Sequence, residues 1–515
     1  MSTTPEVLME RKWWTLIAVC VATFMLLLDI TVVNVALPRI QSDLNASFTD
    51  LQWVVDAYTL SLAGLILTMG ALADRYGRRR IFVLGLAVFS LGSFLCGIAT
   101  SPLFLNLARA LQGVGGAGMF ATSLALIAQE FQGRERGTAI GLWGATIGAA
   151  VAIGPLVGGA LTDTLGWQWI FFVNVPIGAA AIFLGLTRSG ESRDPEARRL
   201  DLAGLITFSG ALFGINFGLL RGNDEGWSSA PILVSLVGGA LLLVAFIAVE
   251  ARQERPMFDL TLFRKPAFAG VSIGTFAIGA GMFAMFLYLT LYIQDIVGYS
   301  PLQAGLRFLP LTVVAFFASP IAGRLLSRVQ TRMLLGIGLA LVALGLVLMH
   351  GISVDSSWTT LLAGFLVAGA GIGVSNPSIA STALGVVPAT RSGMASGINN
   401  TFRLAGVATG IAALGAIFQS RIESKLAELL PGSSSTLADA VSSGGTQAAV
   451  AASPPGNRAQ VLAASRAAFI GSLNDILLVG AATLLVGSIC AFVLIRSRDF
   501  LVEPAREPAS EPATV

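Results

Sequence analysis

Charge is scarce in this chain, and the scarcity narrows its class more than any motif. Asp, Glu, Lys and Arg make up 12% of the 515 residues, against roughly 25% in a soluble domain. A soluble fold is thereby excluded. There is one histidine, His350, at the end of an apolar run, where it reads as an interfacial residue. The three cysteines, Cys20, Cys96 and Cys490, sit inside apolar runs and form no CxxC pair. A disulfide framework and a metal site are excluded on that ground, and the three read as small core residues. HExxH and GxxxxGK[ST] are missing. That removes a zinc peptidase and a one-chain ATP-driven pump.

What is abundant is apolar sequence. Hydrophobic residues reach 55% and mean hydropathy is +0.78. The chain carries apolar runs over 13–36, 52–73, 81–99, 103–127, 137–161, 167–187, 202–219, 231–249, 267–293, 302–323, 333–350, 358–385, 393–418 and 469–495. A bilayer core about 30 Å thick needs roughly 20 residues of helix, and such segments cross lipid as helices because only helices and closed barrels satisfy their backbone there. The expected fold is therefore all-α and integral to a membrane, with fourteen spans. The first run is too long for a signal h-region and lacks a cleavage site, so it is a retained span.

The sparse charge is also unevenly placed. With the N-terminus inside, 23 of the 32 Lys and Arg fall on the cytoplasmic side, 7 on the other side and 2 within spans. The positive-inside rule then puts both termini in the cytoplasm. The segment 419–468, rich in Ser, Ala, Gly and Pro, is expected as a flexible external loop, and 501–515 as a disordered tail.

The chain also repeats itself. Gly70–Arg79 (GALADRYGRR) and Gly323–Arg332 (GRLLSRVQTR) share Gly, Leu, Arg and Arg at the same places. A shift of 256 lays Gly113 on Gly369, Gly115 on Gly371 and Gly154 on Gly410. Two six-helix halves, 1–200 and 251–500, with two helices inserted over 201–250, account for that offset. Parallel repeats of this kind occur in transporters that rock two halves about a central site.

Five motifs in order then carry a family resemblance across almost the whole chain. Gly70-Ala-Leu-Ala-Asp74-Arg75-Tyr-Gly77-Arg78-Arg79 resembles motif A of the major facilitator superfamily. Leu107-Ala-Arg109-Ala-Leu-Gln112-Gly113-x-Gly115-Gly116 resembles motif B, and Gly154-Pro155-x2-Gly158-Gly159 the antiporter motif C. Leu28-Asp29-x-Thr31-x2-Asn34 and Trp169-x4-Asn174-Val-Pro176 are similar to signatures of the fourteen-span drug:proton antiporters. Asp56, within Gln-Trp-Val-Val-Asp-Ala-Tyr, is similar to the QacA-type branch, although spans 10 and 13 lack that branch's further acidic residues. The resemblance implies a monomeric bacterial transporter of the cytoplasmic membrane. It implies no cofactor, no nucleic acid, a proton gradient as driving force and lipophilic or cationic small molecules as substrates. A dedicated exporter of one metabolite or lipid would use the same scaffold. A polytopic membrane enzyme would need a catalytic constellation that the sequence does not show.

Asp29 and Asp56 are carboxylates inside apolar helices, which cost several kcal/mol and mark candidate functional sites. Arg109 is the matching cation, and Gln112 lies one turn away on its face. The four are candidates for proton and substrate coupling; a static Asp–Arg pair holding helices together is the alternative. In motif A, Asp74 is placed to accept from the N-terminus of span 13, where the helix dipole favours an anion, and so to latch the halves. Motif C, with its glycines and Pro155, is a helix breakpoint or a packing seam. Cavity-lining candidates are Asn34, Trp53, Met119, Phe120, Phe286, Tyr292, Asn399, Asn400 and Arg403.

Overall fold

The computed structural model describes residues 11–500 apart from 132, 194–200, 254–255, 257, 327, 388–391, 432, 447–449 and 452. The tail 501–515 and the first ten residues lie outside the described set. The described residues form helices and turns and contain no strand. In chain order the helices are α1 Arg11–Leu44, α2 Phe48–Tyr76, α3 Arg78–Gly97, α4 Pro102–Glu130 and α5 Gly133–Thr164. There follow α6 Trp169–Arg188, α7 Leu202–Glu225, α8 Ala230–Arg252 and α9 Pro266–Ile296. The rest are α10 Pro301–Leu325, α11 Thr331–Met349, α12 Leu362–Gly385, α13 Ser392–Leu429, the short α14 Ser435–Ser442, and α15 Arg458–Leu494.

Thirteen of these are long and apolar enough to span a bilayer, and fourteen with α5, which bends by 44° between Ala150 and Ile153. Pro155 explains the bend. It has no N–H for the carbonyl four residues back, and its ring pushes on that turn. Helix starts follow local chemistry. Ser47 with Asp50, and Ser300 with Gln303, form capping boxes, and Pro102, Pro266 and Pro301 each open a helix.

The turns divide the molecule into two ends: an arginine-rich end that holds the Gly77 turn, and a low-charge end that holds α14. Here the structure corrects the sequence reading of 419–468. Instead of a continuous flexible loop, α13 runs on to Leu429, α14 packs Ala438 and Val441 inward, and α15 begins at Arg458. The segments RIESKLAEL and RAQVLAASRA are strong helix formers. They also bury Ile422, Leu426, Val461 and Ala464, and Lys425 pairs with Asp475 across α13 and α15 at 2.9 Å.

The repeat is visible in the packing. Gly113 brings α4 against the Tyr58 carbonyl of α2, and Gly115 brings it against the Phe89 amide of α3; a Cβ would sit 2.5 and 2.3 Å from them. The equivalent Gly369 brings α12 against the Leu311 carbonyl of α10, and Gly371 against Gly338 of α11, at 2.3 and 2.6 Å. Small residues permit such close helix contact in lipid, where packing rather than water drives association. The helix α8 stands apart: Leu233, Val234, Val237, Leu241, Val244 and Ile247 are exposed along it, as befits a face turned to lipid.

Candidate functional site

The central polar cluster is assembled from five helices. Asp29 of α1 is ion-paired with the Arg109 guanidinium of α4, and both are at most 3% exposed. Gln112, one turn along α4, donates to Asp29 Oδ1 at 2.9 Å and to Ser93 Oγ of α3 at 2.6 Å. Its own Oε1 accepts from Arg109 at 2.6 Å. Arg109 Nε donates to the Val54 carbonyl of α2 at 2.9 Å, and its guanidinium lies 4.3 Å from the centre of the Tyr58 ring. Asn174 of α6 closes the shell by donating to Ser93 at 3.0 Å. The Asp29 carboxylate thus accepts from one cation, Arg109, and from one amide, Gln112, which together make its burial tolerable.

Asp56 lies on α2 but outside this network. It is fully buried, and neither carboxyl oxygen has a hydrogen-bond partner among the described residues. One turn away, Gln52 donates to the Ile411 carbonyl of α13 at 2.9 Å, and Tyr288 of α9 donates to the same oxygen at 2.7 Å. Of the four coupling candidates, the structure brings Asp29, Arg109 and Gln112 together and leaves Asp56 outside the cluster.

Motif A forms the α2–α3 turn. Gly77 takes φ +118°, and a Cβ there would meet the Glu191 carboxylate at 2.5 Å. Asp74 accepts from Arg78 at 2.9 and 3.1 Å, while Arg79 and Arg80 face Glu191. In this conformation Asp74 is thus engaged by its own turn, and a Cβ at Gly70 would meet nothing within 4 Å. Motif C works through contact. A Cβ at Gly154 or Gly158 would strike Thr31 and Val32 of α1, and one at Gly159 would lie 2.4 Å from the Pro301 carbonyl of α10.

The cavity candidates separate. Asn34 and Phe286 line a small cavity with Thr31, Val35, Pro155, Thr290 and Phe308. Trp53 instead packs on Phe213 and Phe217 of α7, because the inserted helix covers that face of α2. Met119 is core, and Phe120 rests on Trp143. Tyr292 is buried in the last, π-helical turn of α9. Asn399 bonds Thr275, Asn400 bonds the Ser396 carbonyl, and the Arg403 Nε has no hydrogen-bond partner among the described residues. Sequence reasoning misses Ser93, Gln52, Tyr288, Glu191 and Asp295, the last with one carboxyl oxygen buried and without a hydrogen-bond partner among the described residues. Hydroxyl and amide side chains give no signal on an apolar helix until a neighbour's rotation is known.

These features define a polytopic helical membrane protein with a buried Asp–Arg pair. The Major Facilitator Superfamily model matches residues 19–411, and the chain belongs to that family. It is similar to the multidrug resistance protein Stp of Mycobacterium tuberculosis, at 38% identity over 80% of this chain and 77% of that one. It is also similar to the drug efflux pump JefA of the same species, at 33% identity over 94% of this chain and 97% of that one. A crystal structure of a bacterial homologue of the lysosomal transporter Spinster shares the fold. It has a TM-score of 0.62 and 19% identity, and the match covers 98% of this chain and 100% of that one.

Proposed function

We propose that the chain exports lipophilic drugs or antibiotics across the cytoplasmic membrane in exchange for protons, by alternating access. The observation that carries this reading is the Asp29–Arg109–Gln112 cluster, a carboxylate and its cation held in the low-dielectric interior. Asp56, buried without a hydrogen-bond partner among the described residues, is the group that reads positive charge on a substrate. The names of the relatives, a multidrug resistance protein and a drug efflux pump, support the substrate class. In this reading the arginine-rich end is cytoplasmic by the positive-inside rule, as are both termini. Residues 1–200 and 251–500 are the two moving halves, with 201–250 inserted.

The conformation is then one closed on the outside. At the low-charge end Gln294 donates to the Val35 carbonyl at 2.7 Å, and Ser300 to Asp163 at 2.9 Å. The Asp29 proton would load from outside once those bonds open, and would leave inward as Arg109 reclaims the carboxylate. The test is transport in inside-out proteoliposomes with an acidic lumen. Adding the lipophilic cation rhodamine 6G should alkalinise the lumen, and Asp29→Asn should abolish this while dye binding persists. Dye accumulation without proton movement would overturn the reading.

A further inference from the structure

The inserted helix α7 is bonded to both halves. Ser209 donates to the Gly64 carbonyl of α2 at 3.4 Å, and Asn223 to the Ala416 carbonyl of α13 at 2.7 Å. At the arginine-rich end, α7 and its partner α8 are joined by two acidic residues. Both lie just outside the apolar runs 202–219 and 231–249. Asp201 caps the start of α7, its Oδ1 accepting from the Gly204 amide at 2.7 Å. Glu250 sits in the last turn of α8 and is 2% exposed. Its Oε2 accepts from the Phe258 amide at 3.2 Å. That bond fixes the linker that leads into α9.

The two remaining carboxyl oxygens face each other. A Cβ at Gly204 would lie 2.3 Å from Asp201 Oδ2 and 2.7 Å from Glu250 Oε1. The carboxyl groups are within hydrogen-bonding distance of one another. Neither of these oxygens receives a hydrogen bond from any other described residue. Among the described residues the charged groups that face Glu250 are Asp201 and Asp259, both acidic. Asp259 accepts from the Thr261 amide at 2.9 Å. Two carboxylates in contact, buried and without a cation, cannot both be ionised. A proton resolves the conflict: the O–H of one carboxyl group donates to the other.

We propose that Asp201 and Glu250 form a second proton site, separate from Asp29, whose proton clasps the inserted helices to the linker. The Phe258 ring lies against Phe208 of α7, Phe246 of α8 and Phe402 of α13. Freeing its amide therefore loosens the inserted pair from the second half. With the proton bound, the carboxyl groups attract and Glu250 holds the linker. Without it, like charges part and Glu250 lets go. The docked linker thus binds the proton better than the released one. Docking is strongest below the ordinary glutamate value of about 4.3. Above it, docking weakens by up to about tenfold per pH unit, and the contribution is lost as pH passes the raised value of the pair.

The experiment uses the full chain in lipid nanodiscs. Hydrogen exchange over 258–265, corrected for intrinsic rates, is followed from about pH 5 to about pH 9, which brackets the ordinary and the raised values of a buried glutamate. Wild-type protection should fall with rising pH and then level off. Glu250→Gln keeps both bonds without the proton, since its amide donates to Asp201 and its carbonyl accepts from Phe258. Its profile should be flat and high. Asp201→Asn keeps the α7 cap and should be flat as well. At neutral pH the infrared difference between wild type and Glu250→Gln should show one protonated carboxyl group, and Asp29→Asn should retain it. A wild-type profile flat with pH would overturn the clasp, as would no protonated carboxyl group in the difference spectrum. Variants that lose protection along with the wild type would also overturn it. So would protection that disappears on adding a chelator at fixed pH, which would place a cation between the carboxylates instead.

Discussion

At Asp29 two demands meet: the coupling role we propose needs a buried carboxylate, and a carboxylate must be paired to be buried at all. Arg109 and Gln112 meet the second demand, and Tyr58 shields the guanidinium from the other side. Removing one member of a buried ion pair strands the other, which costs about 3–5 kcal/mol. Asp29→Ala should therefore lower the thermal unfolding midpoint in detergent markedly. Asp29→Asn keeps an acceptor for Arg109 and should fold better, yet lose substrate-induced proton release measured with a pH-indicator dye. Undiminished release from Asp29→Asn would remove Asp29 from the coupling step. The acidic and basic members of this cluster are legible in the sequence because a charge in an apolar run stands out. Ser93 is not, since a serine on a membrane helix is ordinary until α3 turns it toward Gln112.

At the scale of elements, glycines set where α5 may approach its neighbours. Gly159→Ala adds a methyl group against the backbone oxygen of Pro301. Such overpacking costs about 1–3 kcal/mol, a five- to roughly 150-fold shift between two states. The variant should move away from the conformation closed at the low-charge end, seen as longer spin-label distances between α5 and α10 there. Gly141→Ala, which meets nothing within 4 Å, should leave those distances unchanged; equal shifts in both variants would refute the seam. The helix α14 carries a second element-scale prediction. Burial pushes the Asp439 carboxyl up, Gln419 pulls it down by hydrogen bonding, and Asp224 adds to the rise. A folded-state value above the unfolded one means that the proton binds the docked form better. The contribution to docking is thus full below the ordinary carboxylate range and is lost as pH rises through the raised value. Hydrogen exchange over 435–442, corrected for intrinsic rates, should show protection falling on that rise. Asp439→Asn should flatten the profile, and a wild-type profile already flat would refute it.

For the whole molecule the question is how the two ends alternate. Asp74 is held by Arg78 in this conformation, and we propose that it latches onto the start of α13 in the opposite state. One charge–dipole contact is worth about 0.3–2 kcal/mol, up to roughly thirtyfold in a two-state equilibrium. In Asp74→Ala, turnover should fall while equilibrium substrate binding persists. Cysteines placed near Asp74 and near Ser392 should cross-link less than in the parent protein. Normal turnover with unchanged cross-linking would leave Asp74 an ordinary turn residue.

The fold class and the repeat were legible because they rest on quantities that a linear chain displays. Apolar length reports the cost of leaving a backbone unsatisfied in lipid, and the glycines at 113, 115, 369 and 371 repeat because equivalent helices must touch equivalent neighbours. Partnership was not legible. Asp29 and Asp56 look alike as charges in apolar helices, yet one meets Arg109 and the other meets no hydrogen-bonding side chain among the described residues. The difference lies in helix rotation and crossing, which are set by packing between segments far apart in the chain. The same holds for Trp53, turned to α7 rather than to a cavity, and for 419–468, where buried faces on α13, α14 and α15 outweigh a loop-like composition. A sequence states what each residue would cost to bury; only the tertiary structure decides which neighbour repays that cost.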